Sequence, residues 1–156
     1  MNHYLAAAIA IPAVLLSSPA NGQTSVEEGR AMVQEARVEI IRSELRLTEE
    51  EAAAFWPLHA AYSAETADVM DRYTAMIAEY VQRYDNGDLS DEYAIELMSR
   101  FFAIKRELLD VKTRFLPKFK EVVPPLKVAR FYHLENKIDA DIDAQLAIAV
   151  PLIESE

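Results

Sequence analysis

The stretch EVVPPLKVARFYHLENKI, residues 121 to 138, sets two adjacent prolines into a chain that otherwise reads as nearly continuous helix. Inside a helix a proline removes a backbone donor and clashes with the preceding turn, whereas at the first helical position it costs nothing and presets φ. Pro125 therefore reads as the start of a helix, with Pro124 as the residue that ends what comes before. Sliding the stretch along the chain finds a partner in LTEEEAAAFWPLHAAY, residues 47 to 62. Setting residue 47 over residue 123 matches Ala53 with Ala129, Phe55 with Phe131, Trp56 with Tyr132 and Leu58 with Leu134. The partner opens with a helix-starting device of its own. Thr48 followed by Glu51 forms a capping box, in which the hydroxyl accepts the Glu51 N–H and the carboxylate accepts the Thr48 N–H.

Outward from these two starts the whole chain resolves into helices. Glycine occurs only three times, and no stretch alternates with period two for long enough to form a strand. A first amphipathic helix is predicted from Val26 to Arg46, carrying Val33, Ala36, Ile40, Ile41 and Leu45 on one face. The second begins near Glu49 and runs to the DNGD turn at residues 85 to 88, with Pro57 inside it. A third begins at Ser90 or Asp91 and carries a seam of Leu97, Phe101, Ile104, Leu108, Val111 and Phe115 in steps of four and three. Pro117, then Pro124 and Pro125, are expected to end it in stages. The fourth continues from Pro125 through Phe131, Leu134, Ile138, Ile142 and Leu146 to Pro151. The expected fold is all-α: an elongated four-helix hairpin or bundle with long second and third helices.

Residues 1 to 22 read as a signal peptide. Leu5 to Leu16 is apolar and too short to cross a bilayer, and SSPANGQ offers cleavage after Ala20 or after Gly22. Residues 23 to 156 are then a single all-helical domain, with no stable membrane span once the leader is removed. The chain has no cysteine, which excludes thiol chemistry and Cys-ligated metals. Net charge is −10 but unevenly spread: the segment from Arg100 to Arg130 is +6 and the remainder −16. Such acidity argues against nucleic acid as a partner. The basic segment fits equally well beside an acidic helix of its own chain or of a second copy.

An exported all-α chain with two matched helix starts, the first of the form L-T-x-x-x followed by an aromatic, resembles the Spy/CpxP superfamily and its LTxxQ motifs. Two departures stand out. Glu51 takes the third place after Thr48 with no Gln in the motif, and Pro124 stands where a second Thr would be, as in divergent members with a proline-pair second motif. The resemblance implies a periplasmic, non-enzymatic protein: an ATP-independent chaperone or envelope-stress modulator, built as a thin helical hairpin that forms a homodimer and binds unfolded or envelope proteins. A stress-signalling adaptor of a sensor protein, and a metal-binding or resistance protein, are the alternatives it leaves open.

The residues supply a candidate binding face for such a role. Met98, Phe102, Lys105, Leu109, Lys112 and Leu116 form a row one position beyond the third helix's seam, with Arg106 and Arg114 nearby. Adaptable Met and long Lys side chains suit unlike partners. In a thin bundle the same row could instead be buried against neighbouring helices. The structural motif residues are Thr48, Glu51, Phe55, Trp56, Pro124, Pro125, Phe131 and Tyr132, the aromatics read as packing anchors. His59 and His133 are weak metal candidates, since neither has a second ligand four residues away. Asp139, Asp141 and Asp143 superficially suggest a calcium loop but lack its Gly and Glu, and on a helix read as an acidic face. No nucleophile elbow or Gly-rich phosphate loop is present, so no catalytic residue and no cofactor is expected.

Overall fold

Helix boundaries in the computed structural model, which describes residues 22 to 153, follow the local chemistry of the caps. Four helices occur, α1 (Gly22–Leu45), α2 (Glu49–Asp85), α3 (Asp91–Val122) and α4 (Pro125–Ala149), and the described residues contain no strand. The fold is all-α. Thr48 caps α2 with the complete reciprocal box: its Oγ1 accepts from Glu51 N at 3.2 Å and its N–H donates to Glu51 Oε2 at 2.8 Å. Ser90 caps α3 by accepting from Tyr93 N at 3.2 Å, and Gly87, at φ +68°, makes the turn between them. At the fourth start the Pro124 carbonyl accepts from Lys127 N and Val128 N, with Pro125 at the first helical position. Arg46, just past the end of α1, sits at φ +49°, a left-handed conformation that usually falls to glycine.

Three expected boundaries shift. α1 begins at Gly22 rather than Val26 and stops one residue short of Arg46. More consequentially, Pro117 does not end α3, which runs five residues past it to Val122. The proline withholds one bond, from its own nitrogen to the Thr113 carbonyl, and both residues are exposed, so water can take that carbonyl. Meanwhile Phe115 and Phe119 are buried on the opposite side and tie the helix down on each side of the interruption. Pro57 in α2 follows the same pattern, with Pro57 and Ala53 both exposed.

The chain divides into two compact units. One comprises the described residues 47 to 130 and 150 to 153; the other comprises 22 to 46 and 131 to 149. In the first, α2 and α3 form an antiparallel hairpin about 55 and 48 Å long, from 37 and 32 residues. Buried positions on α2 run Phe55, His59, Tyr62, Thr66, Val69, Tyr73, Met76, Tyr80, an unbroken alternation of four and three. On α3 the expected seam is largely kept: Leu97, Ile104, Val111 and Phe115 are buried, while Phe101 and Leu108 are half-buried. Four rings, Phe55, Tyr62, Phe115 and Phe119, pack at centroid separations of 5.3 to 6.2 Å. Thr66, a polar residue in the seam, satisfies its hydroxyl on the carbonyls of Tyr62 and Ser63 at 3.1 Å. At the other end of the hairpin the Tyr80 hydroxyl donates to the Pro151 carbonyl at 2.8 Å.

One flank of the seam carries a ladder of ion pairs. Glu65 meets Arg114 at 2.6 Å, Arg72 grips Glu107 through two bonds of 2.7 Å, and Glu79 meets Arg100 at 2.9 Å. The rungs are one heptad apart on both helices and alternate in sign, so a slip of one heptad in either direction would oppose Glu with Glu and Arg with Arg. In this ladder Arg100 and Arg114 of the +6 segment are matched by acids of α2. Hydrogen bonds from Arg100 and Arg72 hold the Glu79 and Glu107 carboxyls below their ordinary range. A carboxyl lowered in the folded state contributes its stability above the unfolded value, near pH 4.5, and loses it as pH falls through the lowered folded value. Melting temperature is therefore expected to drop on acidification below about pH 4.5, less steeply in Arg72→Met, and the difference to shrink in high salt.

In the second unit Ile138 and Ile142 of α4 pack with Val33, Ala36 and Ile40 of α1 and with Leu146. Beside this cluster the Arg37 guanidinium forks between Glu135 Oε2 at 2.9 Å and Asp139 Oδ1 at 2.8 Å. Glu135 is 1% exposed, and a charge so placed is tolerable only when paired.

Candidate protein-binding face

The two matched helix starts lie side by side. Lys127, in the first turn of α4, donates from Nζ to Glu51 Oε2, the oxygen that also closes the capping box on Thr48. Glu51 and Lys127 are aligned residues of the two segments, so the motif's third-place residue is answered by its own counterpart. The lysine bond first, and the Thr48 N–H second, hold the Glu51 carboxyl below its ordinary range. Thr48→Ala removes the cap oxygen and is expected to cost about 1 kcal/mol in denaturant unfolding, with Thr48→Ser close to wild type.

The resemblance of the two segments extends to burial. Over residues 47 to 62 and 123 to 138, thirteen of sixteen aligned pairs share the same state, buried, half-buried or exposed, so the match describes a helix face and not only letters. Phe55 and Phe131 are both wholly buried, and Trp56 and Tyr132 both half-buried. Each pair sits ring to ring, at 5.2 Å for Phe55 and Trp56 and at 5.0 Å for Phe131 and Tyr132. Burial, then the Glu135 carboxylate, raises the Tyr132 hydroxyl far above its ordinary range and keeps it protonated. Thr48, Pro124 and Pro125 are exposed, as residues at helix starts.

The α3 row has a different character. Met98, Phe102, Leu109 and Leu116 are 40%, 58%, 61% and 42% exposed, while Lys105 and Lys112 are half-buried along it. Lys105 lays its ammonium 4.7 Å from the Tyr73 ring centroid and 5.6 Å from that of Phe101. Arg106 and Arg114 are exposed, but Arg114 belongs to the ion-pair ladder on the far flank of the seam. The row also reaches further than Met98: Ile95, one step of three earlier, is 71% exposed. The signal for Ile95 was present in the spacing itself. In an unfolded-state reference such residues gain little from folding, and a contiguous apolar stripe on a helix is a surface that another body covers.

The histidines part company. His59 is buried in the aromatic cluster, its ring 5.6 Å from Phe55, 5.3 Å from Trp56 and 6.2 Å from Tyr62, and occupies a seam position of α2. His133 is exposed. Among the described residues no three His, Asp or Glu side chains come together as a metal site would require. The aspartates of α4 divide as well: Asp139 serves the Arg37 fork, and exposed Asp141 accepts from Gln145 at 3.0 Å. Sequence reasoning missed Arg37 and Glu135, which stand 98 residues apart and carry no local spacing signal.

The expected leader lies outside the described residues. Among those described, no helix is long and apolar enough to cross a membrane. Comparisons of the chain with protein-family models, with curated proteins and with solved structures give no match.

Proposed function

We propose that this chain is an exported, non-enzymatic protein-binding protein of Spy/CpxP-like layout, acting in the periplasm without ATP on unfolded or envelope proteins, as a homodimer. The observation that carries this reading is the exposed row on α3, four large apolar side chains interleaved with two lysines on a rigid helix. A hydrophobic row that a chain leaves open offers binding area, and the lysines draw acidic segments and keep the surface adaptable. The capped Thr48 start and the proline-pair start, joined through Glu51 and Lys127, support the likeness of layout.

The test is suppression of aggregation of a chemically unfolded substrate by the purified protein with no nucleotide present, together with a solution mass. The expected result is protection at near-stoichiometric ratios. Phe102→Ser with Leu109→Ser should weaken it several-fold while the far-UV dichroism and melting temperature stay close to wild type, since exposed substitutions usually change stability within about 0.5 kcal/mol. Undiminished protection by that variant would remove the row from the function.

A further inference from the structure

The α3 row has a regularity that a general sticky surface does not need. From Ile95 it steps to Met98, Phe102, Lys105, Leu109, Lys112 and Leu116, alternating three and four over three heptads. This is the a and d pattern of a second coiled-coil seam, on a helix whose first seam is already filled by α2. The stripe is two positions in seven wide. Its outer flank is polar, with Ser99, Arg106 and Thr113. A helix that lies in a lipid interface shows a broad apolar face instead, and a chain of net charge −10 is repelled by anionic headgroups.

We infer that the occupant of this row is an acidic amphipathic helix, packed in heptad register with carboxylates one heptad apart opposite Lys105 and Lys112; the inference rests on the reading of this face as a protein-binding surface. Both lysines hold the same heptad position, so a partner helix meets them with one repeated residue in either orientation. The row contains no carboxylate, which is why a second copy of this chain fits it poorly. Laid on itself in parallel, the row sets each lysine against its own equivalent. Laid antiparallel with a layers against d layers, it sets them against apolar residues such as Phe102 and Leu109. Glu96 and Asp110 lie on the flank beyond Ser99 and Arg106, outside the packed layers. Charge complementarity therefore favours a heterologous acidic helix.

The experiment uses the full chain and two labelled helical peptides with Leu at a and d, one carrying two Glu a heptad apart within the seam and the other Lys at the same places. Binding is followed by fluorescence anisotropy at low and moderate salt. The Glu peptide is expected to bind at least about tenfold more tightly than the Lys peptide, and Lys105→Glu with Lys112→Glu to reverse that order. A reversal cannot come from misfolding. Equal binding of the two peptides, or an order that the double variant leaves unchanged, overturns the inference. So does a solution mass showing the row closed by a second copy, with peptide excluded. Binding to phosphatidylglycerol vesicles that the double variant abolishes, without peptide binding, assigns the row to a lipid surface and also overturns it. If the Phe102 and Leu109 variant loses protection of unfolded substrates while peptide preference is absent, the proposed function stands and only the helical partner falls.

Discussion

Replacing Arg37 with methionine is expected to destabilise the unit built from α1 and the distal part of α4 by about 3 to 5 kcal/mol, the range for stranding a buried charge. Arg37 is 11% exposed at its side chain and holds Glu135, which is 1% exposed, together with Asp139. The buried apolar side chains of this unit include Ile41, Leu45, Phe131, Leu134, Ile138 and Ile142. Losing the guanidinium takes away the ion pair and hydrogen bond that it makes with a carboxylate almost wholly removed from water. Hydrogen exchange should show the amides of α1 opening first, while those of the α2 and α3 seam keep their protection. Arg37→Met combined with Glu135→Leu should recover most of the loss, because the more deeply buried carboxylate of the fork leaves together with the guanidinium. If the double variant is as unstable as the single one, the fork contributes packing rather than charge compensation.

Phe119→Ala should be nearly as damaging to the hairpin unit, at about 3 to 5 kcal/mol. The ring is wholly buried and touches Phe55, Tyr62 and Phe115 at once. It also has a second task. Pro117 interrupts the backbone ladder of α3 two residues earlier, so the last turns depend on the side chain that anchors them. Exchange of the amides from 118 to 122 should therefore accelerate beyond the global change in Phe119→Ala. It should do so far less in Val111→Ala, a buried seam substitution on the other side of the proline. Equal effects would mean that α3 persists past Pro117 without help from the cluster.

The fate of Pro117 illustrates where local rules stop. A proline in a helical pattern weakens one bond and one turn, a local cost of about 3 kcal/mol. Whether the helix ends there depends on what the following turn buries, and that is a property of α2 as much as of α3. The same holds for His59, whose neighbours four residues away suggest nothing. Its place among Phe55, Trp56 and Tyr62 follows from an unbroken heptad that admits it as a core member. Capping, in contrast, was fully legible. Thr48, Glu51 and Ser90 act on backbone groups within three residues of themselves, and Pro125 acts on its own φ.

The sequence alone determined the four helices, the starts of α2, α3 and α4, the seam of α3 and the row beside it, because each depends on residues no more than four apart. Tertiary structure alone decided what those elements meet: the ladder that sets the register of α2 on α3, the Glu51 and Lys127 contact, and the Arg37 fork across 98 residues. It also decided that the α3 row stays exposed while the seam one position away is buried. Spacing defines which side chains share a face, but only the packing of distant helices chooses which face is covered.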